Sequence, residues 1–468
     1  MICRYGKFNS NMKVTFIRPH LMDTRSADAM EPLAFAVLAG LTPAHIELDF
    51  FDDRLESIPT DHQTDLVALT VETYTARRAY QLASVFRRRG IPVVMGGYHP
   101  SFLPEEALRY ADAVVVGDAE PVWQQVLNDA EAGRLQRLYR ATGQPPLAGV
   151  HYDRRIFQGK KYKLLAPIQY GRGCRFACEF CSIHAFYGFE TRQRPVADVV
   201  AEIEALRRKQ ILFVDDNLFV DLPKAEALFR ALIPLKIRWA CQISIDIARD
   251  DRLLDLMARS GCFGALIGFE SLDEDNLRQM KKRWNLKDGD YLTAIHKLHD
   301  HGIMIYASFL FGYDHDTVDT FDITAEFAVR AKFALVNFSA LAPTPGAKLY
   351  DRLFKEARLI YPRWWLDPTY RYGEAIFQPR RMTADELTDG CRRARRIVYG
   401  YSAILQRGFH LAANARNPIH LAMFLTANLI TRRELASKLD QPLGAVEPLD
   451  PDWTQLPHLE ATTSQLEI

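Results

Sequence analysis

The chain has 468 residues, of which 48% are hydrophobic and 25% are charged, so it is long enough for about two to four globular domains. Its 59 basic residues almost balance its 58 acidic ones, and a net charge of +1 gives no global field that would attract nucleic acid or an acidic membrane. A small-molecule substrate is therefore favoured. Lys7, Lys13 and Arg18 interrupt the N-terminus where a secretory signal would be apolar, and no run reaches the roughly 18 apolar residues of a membrane span. These features predict a cytoplasmic protein.

Residues 13–140 alternate short apolar runs with amphipathic stretches, which predicts a doubly wound α/β domain around a parallel sheet. Ligands of such sheets bind beyond the carboxyl ends of the strands. A glycine pair at one of these ends would let the backbone approach a large ligand closely. The candidate binding residues that follow the predicted strands are Thr70, Gly96, Gly97, His99, Gly117 and Glu120.

Three further regions follow a linker at residues 141–165, which is rich in glycine and proline. Residues 166–345 contain six apolar runs separated by helical patterns, which predicts a partial parallel (β/α)6 barrel. Residues 346–440 are predicted to be mostly helical. Residues 441–468, rich in Pro, Asp, Gln and Thr, are expected to form a flexible tail.

Two apolar features of the C-terminal region each have two interpretations. Residues 420–430 are apolar enough to contact a lipid or a membrane surface, although burial in the core is the simpler interpretation. A group of aromatic residues either lines an apolar substrate channel or packs between the barrel and the C-terminal helices. Its members are Trp364, Trp365, Tyr370 and Tyr372.

Cysteine usage gives the most specific signal in the chain. Three of the seven cysteines, Cys174, Cys178 and Cys181, fall in one loop after a predicted barrel strand, with C-x3-C-x2-C spacing. Thiolates are the preferred ligands of iron–sulfur clusters, and three of them leave the fourth iron without a protein ligand. The alternatives are a purely structural thiol cluster and a zinc site, because His184 could complete a Cys3His set. The remaining cysteines are interpreted as packed, inert thiols.

The cysteine spacing, with Phe180 directly before the last cysteine, resembles the signature of the radical S-adenosylmethionine (SAM) superfamily. The resemblance implies a four-iron four-sulfur cluster whose open iron binds SAM. One electron, from a donor such as flavodoxin or ferredoxin, would then release a 5'-deoxyadenosyl radical. It also implies that residues at successive strand ends contact SAM: Phe180, Asp215, Asp216, Gln242, Ser244 and Glu270. Asp215 or Asp216 could instead cap the following helix.

An α/β domain before such a barrel resembles the cobalamin-binding class of these enzymes, and most of residues 13–440 resembles the branch that contains the hopanoid methylases. Cobalamin domains of the usual kind carry D-x-H-x-x-G, whereas this chain has Arg54 in place of the histidine and Ser57 in place of the glycine. Because a guanidinium has no lone pair to donate, cobalamin is expected to bind without a protein histidine ligand. The alternative is a vestigial domain that only shapes the barrel mouth.

The resemblance therefore implies a radical SAM enzyme that methylates an unactivated carbon of a small-molecule or lipid substrate, with methylcobalamin as the methyl source. One alternative is a radical SAM cyclase, oxidase or rearrangement enzyme without methyl transfer. Another is a non-enzymatic cobalamin or zinc sensor. An RNA-modifying methylthiotransferase would need a second cysteine triad, and the first domain contains no cysteine after Cys3.

Overall fold

Two parallel six-stranded sheets follow one another along the chain in a computed structural model, which describes residues 12–26, 29–286, 291–450 and 453–456. A helical region follows the second sheet. None of the helices among the described residues is long and apolar enough to cross a membrane.

The first sheet has the order β2-β1-β3-β4-β5-β6, and all of its paired strands run parallel. Most of its strand residues are buried apolar side chains, as expected of a parallel sheet covered on both faces. Its strands are β1 (Lys13–Arg18), β2 (Glu47–Asp52), β3 (Leu66–Thr70), β4 (Val93–Gly96), β5 (Ala113–Val116) and β6 (Leu138–Arg140). Its helices are α1 (Leu33–Leu41), α2 (Ala76–Arg88), α3 (Tyr98–Phe102), α4 (Pro104–Tyr110) and α5 (Trp123–Glu131). The doubly wound prediction is confirmed.

The second sheet has the order β14-β13-β12-β11-β10-β7, so each strand pairs in parallel with its predecessor in the barrel. The first and last strands do not pair, and the predicted partial barrel is confirmed. Its strands are β7 (Ala166–Ile168), β10 (Gln210–Phe213), β11 (Arg238–Ile243), β12 (Cys262–Glu270), β13 (Met304–Phe311) and β14 (Leu335–Ala340). A short antiparallel pair, β8 (Gly171–Arg172) and β9 (Arg192–Gln193), brackets the cysteine loop.

Helices alternate with these strands and bury their apolar faces against them. They are α6 (Ser182–Tyr187), α7 (Val196–Leu206), α8 (Leu222–Leu232), α9 (Asp251–Arg259), α10 (Glu274–Gln279), α11 (Tyr291–Asp300) and α12 (Thr320–Arg330). The C-terminal region adds α13 (Lys348–Lys355), α14 (Ala384–Val398), α15 (Tyr401–Gly408) and α16 (Pro418–Lys438).

The aromatic segment between α13 and α14 packs against the first domain. Trp364, Trp365 and Tyr370 are buried in one apolar cluster with side chains of α2 and α4. The Trp365 indole donates a hydrogen bond of 2.9 Å to Glu106 Oε1 of α4. The packing interpretation therefore holds for these three residues, which tie the C-terminal region to the first domain.

Residues 441–450, termed here the C-terminal strap, lie along α2. The Gln81 side-chain amide donates to the Ala445 carbonyl oxygen and accepts from the Ala445 backbone N–H, both at 3.0 Å. Leu443 and Leu449 are buried in the cluster of the first domain. This differs from the expected flexible tail, because the apolar residues spaced along the polar segment give it a surface to bury. Residues 457–468 lie outside the described part of the chain.

Candidate active site

The cysteine loop connects β8 to α6 and carries three partly buried thiols. Burial raises the pKa of Cys174 and Cys181, and it raises the pKa of Cys178 to about 12. A buried thiolate needs a compensating positive charge, which iron supplies on coordination. Three thiols in one short loop nevertheless form a donor set that can coordinate iron or zinc.

The described residues contain no preassembled Cys3His set for a single zinc ion. Among the described residues, the only set of three or more His, Cys, Asp or Glu ligand atoms within 4.8 Å of one another lies elsewhere, on the surface at Asp273, Asp275 and His315. Zinc–sulfur bonds of about 2.3 Å would draw the sulfurs to within about 4 Å of one another. His184 Nδ1 instead lies 2.9 Å from the Gly188 carbonyl oxygen of its own turn. The three thiols of the loop fit the protein ligands of an iron–sulfur cluster.

Two acidic residues after β10 hold the start of the cysteine loop. The Asp215 carboxylate accepts hydrogen bonds from the backbone N–H groups of Tyr170, at 3.1 Å, and Gly171. The Asp216 carboxylate accepts one of 2.9 Å from the Gly173 N–H. Burial raises the pKa of Asp215 to about 7. Both side chains, which the resemblance assigns to SAM, are therefore engaged with the backbone of the loop.

A series of polar contacts connects Cys174 to residues at the end of β11, and these residues connect back to the cysteine loop. The Asn217 amide nitrogen lies 3.9 Å from Cys174 Sγ and 3.2 Å from Ser244 Oγ. The Ser244 hydroxyl donates to Asp246, which forms an ion pair with Arg175 of the loop. Ser244 therefore acts on the loop through Asn217, a residue that the sequence analysis did not single out although it follows the acidic pair directly.

Two other predicted residues have supporting contacts. The Gln242 side chain donates a hydrogen bond of 2.9 Å to the Asp216 carbonyl oxygen. Phe180 is partly buried against the apolar core of the barrel. Both stabilise the surroundings of the cysteine loop.

Glu270, at the carboxyl end of β12, forms a buried ion pair with Lys282, with 2.7 Å between Oε1 and Nζ. Gly268 makes room for this pair, since a Cβ there would lie 2.1 Å from Glu270 Oε1 and 2.8 Å from Lys282 Nζ. The Lys282 charge favours the thiolate of Cys178 and partly opposes the effect of burial on the pKa of that thiol. Sequence reasoning missed Lys282 because it stands in a run of basic residues typical of a solvated surface.

A cavity of about 280 Å³ lies at the carboxyl ends of β3, β4 and β5. Five of the predicted binding residues line it: Thr70, Gly96, Gly97, Gly117 and Glu120. The opposite wall comes from the segment that carries the cysteines, through Arg172, Phe186 and Tyr187. The cavity therefore lies between the first domain and the cysteine segment.

The described residues that line this cavity include no His, Cys or Met. Arg54 is held elsewhere, because its Nη2 lies 2.7 Å from Asp52 Oδ2. His99 is also turned away from the cavity, although it was predicted to contact the ligand. Its ring is fully buried, with Nε2 3.0 Å from Glu106 Oε1 and 3.1 Å from the Tyr80 hydroxyl oxygen. The described wall of the cavity therefore supplies no imidazole to the cobalt of a cobalamin bound at these strand ends.

Arg172 joins the cavity to the cysteine loop electrostatically. Its guanidinium forms ion pairs with Asp118 at 3.2 Å and with Glu120 at 2.6 Å. Burial alone would lower the pKa of Arg172, but the two carboxylates outweigh burial and raise it. Arg192 of β9 forms a second ion pair with Asp118, at 2.8 Å. The acidic residues after β5 therefore hold the cysteine segment against the first domain. Arg172 was not predicted from the sequence because a single arginine between two glycines carries no specific signal.

A side chain at Gly97 is expected to destabilise the fold. Its φ is +109°, and a Cβ would lie 2.7 Å from the Val71 carbonyl oxygen. Gly97→Ala is therefore expected to destabilise the first domain by about 1–3 kcal/mol and to weaken cobalamin retention. Thermal unfolding and the cobalamin absorbance left after desalting measure both effects. Gly133→Ala is the matched control, since Gly133 also has a positive φ, +64°, but no atom within 4 Å of the new Cβ. Equal losses in the two variants would contradict the steric explanation.

Comparisons with known proteins agree with this geometry. Residues 168–328 match the model of the radical SAM superfamily, and residues 21–127 match that of the B12 binding domain. The chain is 31% identical over 389 residues to bacteriochlorophyllide d C-12(1)-methyltransferase of Chlorobaculum tepidum, covering 80% of this chain and 84% of the relative. It is 26% identical to hopanoid C-2 methylase of Rhodopseudomonas palustris, covering 77% and 71% of the two chains.

Two further matches extend over most of the chain. An anaerobic magnesium-protoporphyrin IX monomethyl ester cyclase of Rubrivivax gelatinosus is 26% identical, with 85% of this chain and 79% of the relative covered. The structure of the radical SAM methyltransferase TsrM from Kitasatospora setae, with cobalamin and a [4Fe-4S] cluster bound, has the same fold. It superposes with a TM-score of 0.61 and 18% identity, covering 83% and 82% of the chains. The chain therefore belongs to the cobalamin-dependent radical SAM methyltransferase family.

Proposed function

We propose that this enzyme methylates an unactivated carbon of a bulky apolar metabolite, with a chlorin or porphyrin as the first candidate. The carbon type follows from the pairing of the two cofactors in this family. The substrate class is supported by relatives that are named for a bacteriochlorophyllide and for magnesium-protoporphyrin IX monomethyl ester. A lipid is the second substrate class, because hopanoid C-2 methylase is also a relative.

One observation carries the proposal: residues 172–187 contribute both to the cysteine site and to the wall of the cavity at the first domain. Arg172 lies two residues before Cys174, and Tyr187 lies six residues after Cys181. A single short segment therefore serves both cofactors, as expected when a radical and a methyl donor must act on one substrate carbon.

When bound, the cluster with SAM supplies a 5'-deoxyadenosyl radical that abstracts a hydrogen atom, and methylcobalamin supplies the methyl group. The residues of this chain hold the parts in place. Asp215 and Asp216 fix the loop backbone, and Asn217 approaches Cys174 Sγ. Lys282 places a buried positive charge close to Cys178, held there by Glu270.

The side chains around the cavity would also shield a reactive intermediate from water. Apolar and aromatic side chains, including Phe35, Trp123 and Phe186, line it and limit the entry of water. The free cysteines among the described residues favour a reducing compartment such as the cytoplasm, where a flavodoxin or ferredoxin would donate the electron.

The test is an anaerobic assay with reconstituted cluster, cobalamin, a low-potential reductant and SAM deuterated in its methyl group. The proposed methylation predicts 5'-deoxyadenosine, S-adenosylhomocysteine and a deuterium-labelled product when a bacteriochlorophyllide or a magnesium porphyrin is supplied. A labelled hopanoid alone would assign the lipid class. Deoxyadenosine without S-adenosylhomocysteine would favour the cyclase or oxidase alternative, and the absence of both products would favour a sensor.

The missing histidine leads to a separate prediction about cobalamin. Because Arg54 is paired with Asp52 and no imidazole lines the described cavity, bound cobalamin should have no protein nitrogen on cobalt. Cobalamin is also expected to bind with its own dimethylbenzimidazole displaced from cobalt, so electron paramagnetic resonance of the cobalt(II) form should lack strong nitrogen hyperfine splitting. Arg54→Ala should retain cobalamin after desalting. Strong nitrogen splitting that disappears in His99→Ala would contradict the assignment of His99 to the core.

A further inference from the structure

The exposed apolar side chains of the described residues are concentrated in one place. Of sixteen large apolar residues that are exposed, seven lie between residues 401 and 429, on α15, the following loop and α16. The most exposed are Phe409 at 81%, Leu411 at 79%, Tyr401 at 65% and Ile419 at 60%. Single exposed apolar residues are normal, but a concentration of this kind is typical of an interaction surface.

The two helices form an antiparallel hairpin that presents these residues outward. Gly408 at the end of α15 lies beside Phe424, and the Arg432 guanidinium lies over the Tyr401 ring at 4.7 Å. Tyr401, Leu405 and Phe409 are spaced four residues apart, which places them on one side of α15. The stripe of α16 that contains Phe424 is buried instead. The hairpin thus packs one face on the protein and leaves an apolar face in solvent.

The charge of this segment differs from that of the whole chain. Residues 390–433 contain eight arginines and no aspartate or glutamate, whereas the whole chain has a net charge of only +1. Of these eight, Arg407 is buried, and Arg392 and Arg393 form ion pairs with Asp440 and Asp322. Arg416, Arg432 and Arg433 are exposed, and they form no ion pair with another described residue. The exposed part of this segment therefore carries a local excess of positive charge, although the chain as a whole is nearly neutral.

We propose that this basic apolar surface, formed by α15, residues 409–417 and α16, docks on an anionic lipid bilayer. A bilayer surface offers negative phosphates at the level of the arginines and an apolar interior just below them for Phe409 and Leu411. A second copy of the chain is a poorer occupant, because it would bring the same uncompensated positive charge to the interface. The proposal does not depend on the methylation reaction.

The position of the surface is compatible with catalysis. Arg407 donates to the carbonyl oxygens of Phe333 and Ala334, which precede β14, and Arg238 of β11 contacts His420. The hairpin is therefore attached at the amino ends of the barrel strands. The cysteine loop lies at their carboxyl ends, so a docked molecule would keep that loop away from the lipid headgroups.

Vesicle flotation with the purified full-length protein tests this proposal. Phosphatidylcholine vesicles are compared with vesicles that contain about one third phosphatidylglycerol, at low and high salt. We expect binding to the anionic vesicles that weakens with salt. Phe409→Glu combined with Leu411→Glu should weaken binding at least about tenfold, because both apolar contacts are lost. Arg416→Gln combined with Arg433→Gln should weaken it on anionic vesicles only.

Leu164→Glu is the matched control, since Leu164 is equally exposed, at 80%, but lies in the linker. Thermal unfolding and the cluster absorbance establish that each variant is folded. Absence of binding to anionic vesicles, or equal losses in Leu164→Glu and the paired glutamate variant, would overturn the proposal. A lipid-free dimer in sedimentation velocity that the paired glutamate variant dissociates would also overturn it and assign the surface to a second copy.

Discussion

Cys178→Ala is expected to abolish the brown charge-transfer absorption of the reconstituted enzyme and to reduce 5'-deoxyadenosine formation to background. Only two thiolates would remain in the loop, and one of the three irons that normally bind a cysteine would lack its ligand. The cluster would therefore not assemble. Iron and sulfide content, the absorption spectrum and deoxyadenosine release measure the effect. No described cysteine outside the loop can replace Cys178, since Cys241, Cys262 and Cys391 are buried in the barrel core.

Two controls separate this effect from general destabilisation. Cys391→Ala removes a buried thiol of α14 that has no role in the loop, and it should keep the cluster despite a modest loss of stability. His184→Ala should also keep the cluster, because His184 Nδ1 contacts the Gly188 carbonyl oxygen. Stoichiometric zinc that depends on His184 would refute the iron–sulfur assignment.

Arg172→Met is expected to give the second largest effect. It removes the buried cation between Asp118 and Glu120, and leaving buried carboxylates without their partner costs about 3–5 kcal/mol. Because Arg192 still pairs with Asp118, Glu120 is the carboxylate that loses its cationic partner in this variant. We expect a lower melting temperature, together with reduced retention of cobalamin after desalting because one wall of the cavity is displaced.

A surface arginine provides the comparison for this prediction. Arg155 also forms an ion pair, with Asp153, but its side chain is 88% exposed, so Arg155→Met should leave the melting temperature unchanged. Adding Glu120→Gln to Arg172→Met should recover part of the lost stability, because the unpaired charge is removed. If the Arg155 and Arg172 variants unfold at the same temperature, the interdomain ion pair does not hold the two domains together.

The features that the sequence predicted most accurately are those that depend on residues close together in the chain. The strand and helix alternation gave both sheets, because buried parallel strands are short apolar runs between amphipathic helices. Gly96 and Gly97 were predicted to be binding residues because they form a glycine pair after a strand, and both line the cavity. Cys174, Cys178 and Cys181 were predicted to be cluster ligands because their spacing within one loop is specific, and the structure places them in the loop between β8 and α6.

The features that were missed depend on contacts between distant residues. Lys282 acquires its role only when α10 brings it against Glu270, and nothing in its neighbourhood in the chain distinguishes it from a solvated lysine. His99 was placed at the ligand because it follows Gly97, but the turn into α3 directs it to Glu106. The tail seemed flexible because its composition is polar, whereas α2 supplies Gln81 as its partner.

The C-terminal strap makes the first and last parts of the chain a single unit for protein engineering. A fragment ending near residue 140 would lack the partner of Gln81 and the indoles of Trp364 and Trp365, and would expose the apolar cluster they cover. Chimaeras that exchange the cobalamin-binding domain between relatives should therefore carry the matching strap and aromatic segment with it.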